Sequence, residues 1–136
     1  MNEMNEAQEL FETISRHLFA QGERSTKKIG LYDRCVYRGN NGLKCAVGAI
    51  IPDDQYDPDF DTKNMTVSRI TCDLPSAELR GLFQRNINLL SYLQSVHDNA
   101  ANWETSENMM NALIEVGDDF ELKVEFLDGF YFGMAA

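Results

Sequence analysis

Phe120-Glu121-Leu122-Lys123-Val124-Glu125-Phe126-Leu127-Asp128-Gly129-Phe130-Tyr131-Phe132 decides whether this chain reads as all-helical or mixed. Phe120, Leu122, Val124 and Phe126 alternate with Glu121, Lys123 and Glu125, a period of two that belongs to a half-buried strand. Asp128-Gly129 is a favoured two-residue hairpin turn, and Phe130-Tyr131-Phe132 supplies a returning arm. The three aromatics either close the sheet by packing or leave a sticky surface for self-association.

Upstream of this segment the period is helical. Met109, Met110, Leu113 and Val116 follow a cap at Thr105 or Ser106, with Gly117 placed as a stop. Leu89, Leu90, Leu93, Val96 and Ala100 form a core-facing stripe after a cap at Asn86, ended by Trp103. A shorter helix carrying Leu79, Leu82 and Phe83 opens at Asp73-Leu74-Pro75-Ser76. Met65 to Thr71 alternates poorly and reads as an irregular or short extended segment. At the N-terminal end, Met4, Ala7, Phe11, Ile14 and Leu18, with Leu10 beside them, make one face of an amphipathic helix. Asn2 or Asn5 caps it, Glu3 and Glu6 suit its dipole, Glu12 pairs with Arg16, His17 sits at the margin of the stripe, and Gly22 ends it.

Between these helical regions lies Cys35 to Pro58. Gly39-Asn40-Asn41-Gly42 separates two apolar arms, Arg34 to Arg38 and Leu43 to Val47, which predicts a hairpin, although the second arm also reads as the start of a short helix through Ile50. Glu23 to Gly30 is polar and basic, a loop. After Pro52, Asp53, Asp54, Asp57, Asp59 and Asp61 crowd a loop with Tyr56, Pro58 and Phe60. Asp57, Asp59 and Asp61 occupy the first, third and fifth positions of a calcium loop. The match fails at Thr62, where the turn glycine belongs, and at Ser68, where the bidentate glutamate belongs. A solvated or partner-facing acidic loop is the expectation. The fold class expected is α+β: three to four helices packed on a small antiparallel sheet, with hairpins near 34–47 and 120–132, in one globular domain spanning 1–136.

Twenty-two acidic against twelve basic side chains give a net charge of −10, which makes free nucleic acid and anionic membrane poor partners. Half of the basic residues, Arg24, Lys27, Lys28, Arg34, Arg38 and Lys44, fall in one segment, so the molecule is expected to be polarised. Three cysteines cannot all pair within one chain, the N-terminus lacks a secretory pattern, and no apolar run approaches the roughly 20 residues of a membrane span; a cytoplasmic protein with reduced thiols is expected.

Cys45, His97 and Asp98 are the candidate catalytic residues, since a thiolate at a helix start with a histidine base is the minimum for a Cys–His hydrolase. The cysteine spacing has no zinc knuckle, and no phosphate loop, nucleophile elbow or cofactor motif is present; no metal and no cofactor are expected. Elimination favours a binding protein. Asp53, Asp54, Tyr56, Asp57, Asp59 and Asp61 are its candidate contact residues, and Glu104, Glu107, Glu115, Asp118, Asp119, Glu121, Glu125 and Asp128 can extend the negative surface toward a partner with a basic face.

Tyr37-Arg38 through Leu43-Lys44-Cys45-Ala46-Val47-Gly48-Ala49-Ile50-Ile51-Pro52-Asp53-Asp54-Gln55-Tyr56, with Leu93-Gln94-Ser95-Val96-His97-Asp98 and Trp103, resembles a group of small uncharacterised proteins encoded by bacteriophages and prophages. The resemblance carries no activity, cofactor or catalytic residue, and it does not reach the Phe120–Phe132 segment. It implies a phage accessory protein acting in the bacterial cytoplasm; taken with the acidity and the absence of cofactor motifs, the leading expectation is a non-enzymatic protein that binds a host cytoplasmic protein or defence complex, inhibition being one outcome of that binding. The alternatives are the Cys45–His97 hydrolase and a self-associating structural protein built through the aromatic C-terminal segment, a homo-oligomer.

Overall fold

The computed structural model describes residues 3–135, with side chains from residue 5 onward, so the Asn2 cap and the placements of the Glu3 and Met4 side chains lie outside the described residues. Among the described residues the chain is mostly helical, with one two-stranded antiparallel sheet. The elements are α1 (Glu3–Gln21), β1 (Thr26–Ile29), β2 (Tyr32–Cys35), α2 (Asp59–Thr62), α3 (Val67–Asp73), α4 (Ala77–Arg85), α5 (Ile87–Asp98) and α6 (Ser106–Asp119), joined by short 3-10 turns. The α+β class holds, with more helices than the sequence pattern indicates. No described helix is long and apolar enough to cross a membrane.

α1 organises the core. Phe11, Ile14, Leu18 and Phe19 are completely buried and meet Leu90 and Leu93 of α5, Met109 and Leu113 of α6, and the turn Cys45-Ala46-Val47 in one apolar cluster. Full burial of a side chain of this size contributes about 1.5–3 kcal/mol. Glu12 pairs with Arg16 at 3.7 Å, while Glu6 accepts hydrogen bonds from Arg85 and Asn86, tying α1 to the α4–α5 junction. Asn86 therefore does not cap α5: its side-chain amide donates to Glu6 and to the Leu82 carbonyl. Ser76 and Thr105 do cap, accepting from the Leu79 and Asn108 amides.

Met65 to Thr71 is not extended. Thr66 caps α3 by accepting from the Arg69 amide, and Val67, Ile70, Thr71 and Leu74 are buried at i, i+3, i+4 and i+7. Gly117 does not stop α6, which runs two residues further. A β-carbon there would stand 2.4 Å from Val124 Cγ1 and 3.1 Å from the Phe11 ring, so the glycine serves close packing between helices and the following segment.

The hairpin lies earlier than 34–47. β1 and β2 pair around Gly30-Leu31, with Thr26 opposite Cys35 and Ile29 opposite Tyr32. Thr26-Lys27-Lys28-Ile29, expected as loop, is a strand whose alternation is invisible because it is solvated on both sides. Arg34–Arg38 and Leu43–Val47 meet in a single bridge, Arg38 with Lys44, across the Asn40–Gly42 turn. Consecutive burial of Cys45, Ala46 and Val47 explains the rest: a strand would send Ala46 to the opposite face, whereas a turn buries all three.

The C-terminal hairpin does not form. Residues 122–124 belong to no helix or strand, with Val124 turned back to φ −118° and ψ −4°, Glu125–Leu127 is a 3-10 turn, and Phe130 to Met134 pair to no strand. The period of two is nevertheless physical: Leu122 is buried and Val124 and Phe126 half-buried, while Glu121, Lys123 and Glu125 are exposed. The missing ladder is replaced by side chains. Gln8 of α1 accepts from the Lys123 amide at 2.8 Å and donates to its carbonyl at 3.0 Å, and Ser106 Oγ accepts from the Phe132 amide. The Gly133 amide donates to the Phe19 carbonyl at the end of α1.

Phe126 packs edge-on to Phe11, Phe130 edge-on to Phe19, and Phe132 stacks on Trp103. The Arg16 guanidinium lies over Phe126 and Phe130. The segment is a strap across α1 and α6, and its phenylalanines pack against the core while Tyr131 stays exposed.

Candidate functional site

His97 and Asp98 end α5, and both imidazole nitrogens are engaged. Nε2 accepts the Ser25 amide at 2.9 Å, which places the ring proton on Nδ1, where it donates to Asp98 Oδ1 at 2.8 Å. The ring is fully buried, edge-on to Trp103, whose indole N–H donates to the His97 carbonyl. Neither nitrogen is aimed at Cys45. That thiol lies in the turn before Gly48, accepts the Gly48 amide at 3.1 Å, and is pushed up to about 12 by burial. A neutral, enclosed thiol is a poor nucleophile.

The cysteine that His97 and Asp98 do approach is Cys35, with one ligand-type atom from each of the three within 4.8 Å. The donor set does not suit a metal. With the Ser25 amide on Nε2, Nδ1 carries its proton and has no lone pair for an ion, and the Arg24 guanidinium lies against Cys35 Sγ and the Asp98 carbonyl. Burial and the Asp98 charge raise the Cys35 thiol further from ionisation.

This group is a hydrogen-bonded knot. Asp98 Oδ1 accepts from Gln94 Nε2, whose Oε1 accepts the Val47 amide; Ser25 Oγ donates to the Leu43 carbonyl; and His17 Nε2 and Gln21 Nε2 both donate to the Lys44 carbonyl. It joins α1 and α5 to the Leu43–Val47 turn and to the foot of the hairpin. Ser25, Gln94 and Gln21 carry it, and nothing in their local sequence marks them.

The acidic segment divides into two environments. Asp53, Asp54, Asp57 and Asp59 are exposed, and Tyr56 is half-buried beneath Arg38 and against Phe60. Asp61 points inward: its carboxylate accepts the Tyr37 and Arg38 amides, at 2.7 and 3.1 Å, and the Tyr56 hydroxyl, while its carbonyl accepts Arg34. It pins the acidic segment to the residues after β2. Local cations offset much of the exposed charge. Asp53 pairs with Arg38 at 2.5 Å and Lys44 at 3.8 Å, which holds its carboxyl below the usual range, and Asp59 pairs with Lys63.

The larger unneutralised surface lies elsewhere. Glu104, Glu107, Glu115, Asp118, Asp119, Glu121, Glu125 and Asp128 are all exposed on α6 and its flanks, no ion pair among the described residues involves them, and Lys123 is the only cation from 104 to 128. The basic segment is largely consumed internally, because Arg24, Arg34, Arg38 and Lys44 contact the knot or the acidic segment; Lys27 and Lys28 remain exposed on β1. Beside them Ile29, Leu31 and Tyr32 are 46%, 89% and 78% exposed at the hairpin tip.

A cleft of about 330 Å³ lies between β2, α3 and α5, lined by Cys35, Asp61, Gln94 and Asp98 among others. The polar heads of Asp61, Gln94 and Asp98 are already bound to protein partners. No family model, no curated protein and no solved structure matches the chain.

Proposed function

We propose that this chain is a non-enzymatic binding protein whose α6 and strap carboxylates contact a basic surface on another protein. The observation that carries the reading is that these eight carboxylates are exposed and free of internal ion pairs, whereas Asp53 and Asp59 of the acidic segment are paired. Clustered charge of one sign steers a complementary partner at long range and favours it over others.

The resemblance to phage-encoded proteins makes a host cytoplasmic protein the partner, and occupation of a nucleic-acid-binding groove the means of inhibition, with carboxylates standing in for phosphates. The test is affinity capture from bacterial lysate at low and moderate salt, comparing the wild type with a variant carrying Asp118→Asn, Asp119→Asn, Glu121→Gln and Glu125→Gln. The expected result is a specific partner that weakens with salt and is lost with the variant. Recovery of no partner at low salt, or equal recovery by both proteins, overturns the reading.

A further inference from the structure

We propose that His97 is a pH-sensitive latch, holding the Ser25 end of the β1–β2 hairpin to α5 while neutral and releasing it when protonated. Two partly or fully buried histidines lie in the same knot and play opposite hydrogen-bond roles. His17 Nε2 donates to the Lys44 carbonyl, a bond that survives protonation, because the added proton goes to Nδ1. His97 Nε2 accepts from the Ser25 amide, a bond that cannot survive it, because the acceptor lone pair is where the proton binds. Protonated His97 sets one N–H against another inside a site with no solvent exposure, leaving a buried backbone donor without a partner.

The titratable and charged groups around the ring come from each neighbouring element: Asp98 on α5 accepts the Nδ1–H hydrogen bond, His17 lies on α1 and shares the Lys44 carbonyl of the Leu43–Val47 turn with Gln21, Arg24, ahead of β1, lies on the Asp98 carbonyl, and Cys35 on β2 is a thiol raised by burial. The bond lost is the backbone tie between α5 and the chain entering β1, the Arg24 side chain on the Asp98 carbonyl being the other, and the Ser25 carbonyl also accepts the Val36 amide, so both feet of the hairpin meet at this residue. Release therefore acts on the element that carries Lys27, Lys28 and the exposed Ile29, Leu31 and Tyr32.

The test is amide hydrogen exchange by NMR from about pH 8 to about pH 5, corrected for intrinsic rates, with the His97 nitrogen shifts followed on the same samples. The wild type should show Nδ1-protonated His97 at the upper end, and loss of about tenfold or more in Ser25 and Val36 protection as the ring gains its second proton, with α1 and α6 amides unchanged. His17→Gln should keep this dependence. His97→Gln, whose amide oxygen accepts the Ser25 N–H without titrating, should abolish it. The proposal is overturned if His97 takes no proton across the range, if it does so while Ser25 and Val36 stay protected, if all amides fall together, or if His97→Gln keeps the dependence. Should that variant fail to fold, the two wild-type readouts still decide.

Discussion

Gln8 and Lys123, 115 positions apart, form a two-way hydrogen bond in which one side-chain amide serves both backbone groups of the other residue. This imitates the pairing that a neighbouring strand would supply, and it ties an irregular segment to α1 without a sheet. Gln8→Ala should cost about 0.5–1.5 kcal/mol, because the contact is solvent-accessible and water replaces part of it. Faster exchange at Lys123, with α5 amides unaffected, is the signature; unchanged exchange would assign the strap's position to its phenylalanines alone.

Gly117→Ala should destabilise by about 1–3 kcal/mol through overpacking, less the gain of up to about 1 kcal/mol in helix propensity. Val124 Cγ1 is the nearest obstruction, so Val124→Ala should suppress much of the penalty in the double variant. Thermal unfolding of the four proteins of this cycle measures the coupling; strict additivity would mean that the two sites do not collide.

Asp61 differs from the other aspartates of its segment in being a buried anchor. Asp61→Asn leaves one acceptor oxygen for two backbone amides and a tyrosine hydroxyl, and should cost about 2–3 kcal/mol. Asp54→Asn, at an exposed position, should stay within about 0.5 kcal/mol of wild type in denaturant unfolding. Equal effects at the two positions would contradict this division.

Two groups besides His97 should contribute to acid lability, in separate stages. Burial lowers His17 below its ordinary 6.5, outweighing its bond to Lys44, so the unfolded chain binds that proton more readily than the native one. The stability contributed by neutral His17 is present above pH 6.5 and is lost as pH falls from there through the lowered native value. Glu6, lowered from 4.5 chiefly by Arg85, loses its contribution only at more acid pH. Denaturant midpoints against pH should show the first stage reduced in His17→Gln; an unchanged first stage would assign it to another group.

Thiol labelling should follow enclosure. Cys72 is exposed, Cys35 is half-buried and raised by burial and Asp98, and Cys45 is fully buried and raised to about 12. Iodoacetamide should modify Cys72 first and Cys45 only on unfolding. Rapid native labelling of Cys45 that slows with His97→Ala would instead revive the hydrolase reading.

Much of the helical architecture was legible because one-sided burial leaves a 3.6-residue period: Phe11, Ile14 and Leu18 mark α1, and Leu89, Leu90, Leu93 and Val96 mark α5. Ser76 and Thr105 announced helix starts because capping is a local act. Composition alone established the acidic excess and its density after Trp103.

Tertiary structure decided whatever depends on a partner distant in sequence. Alternation from Phe120 to Phe126 specifies one buried face, but whether the segment runs as a strand or turns irregularly and bonds to Gln8 is set by what lies alongside. β1 left no pattern because neither of its faces enters the core. Asp61 is indistinguishable from Asp59 in sequence, and only the approach of the Tyr37 and Arg38 amides makes it an anchor. His97 sits on a helix whose periodicity is plain, yet its role follows from the Ser25 amide, 72 positions earlier. Periodicity reports which side of an element meets the core, whereas a buried polar group is satisfied by whichever donor or acceptor the completed fold brings within about 3 Å.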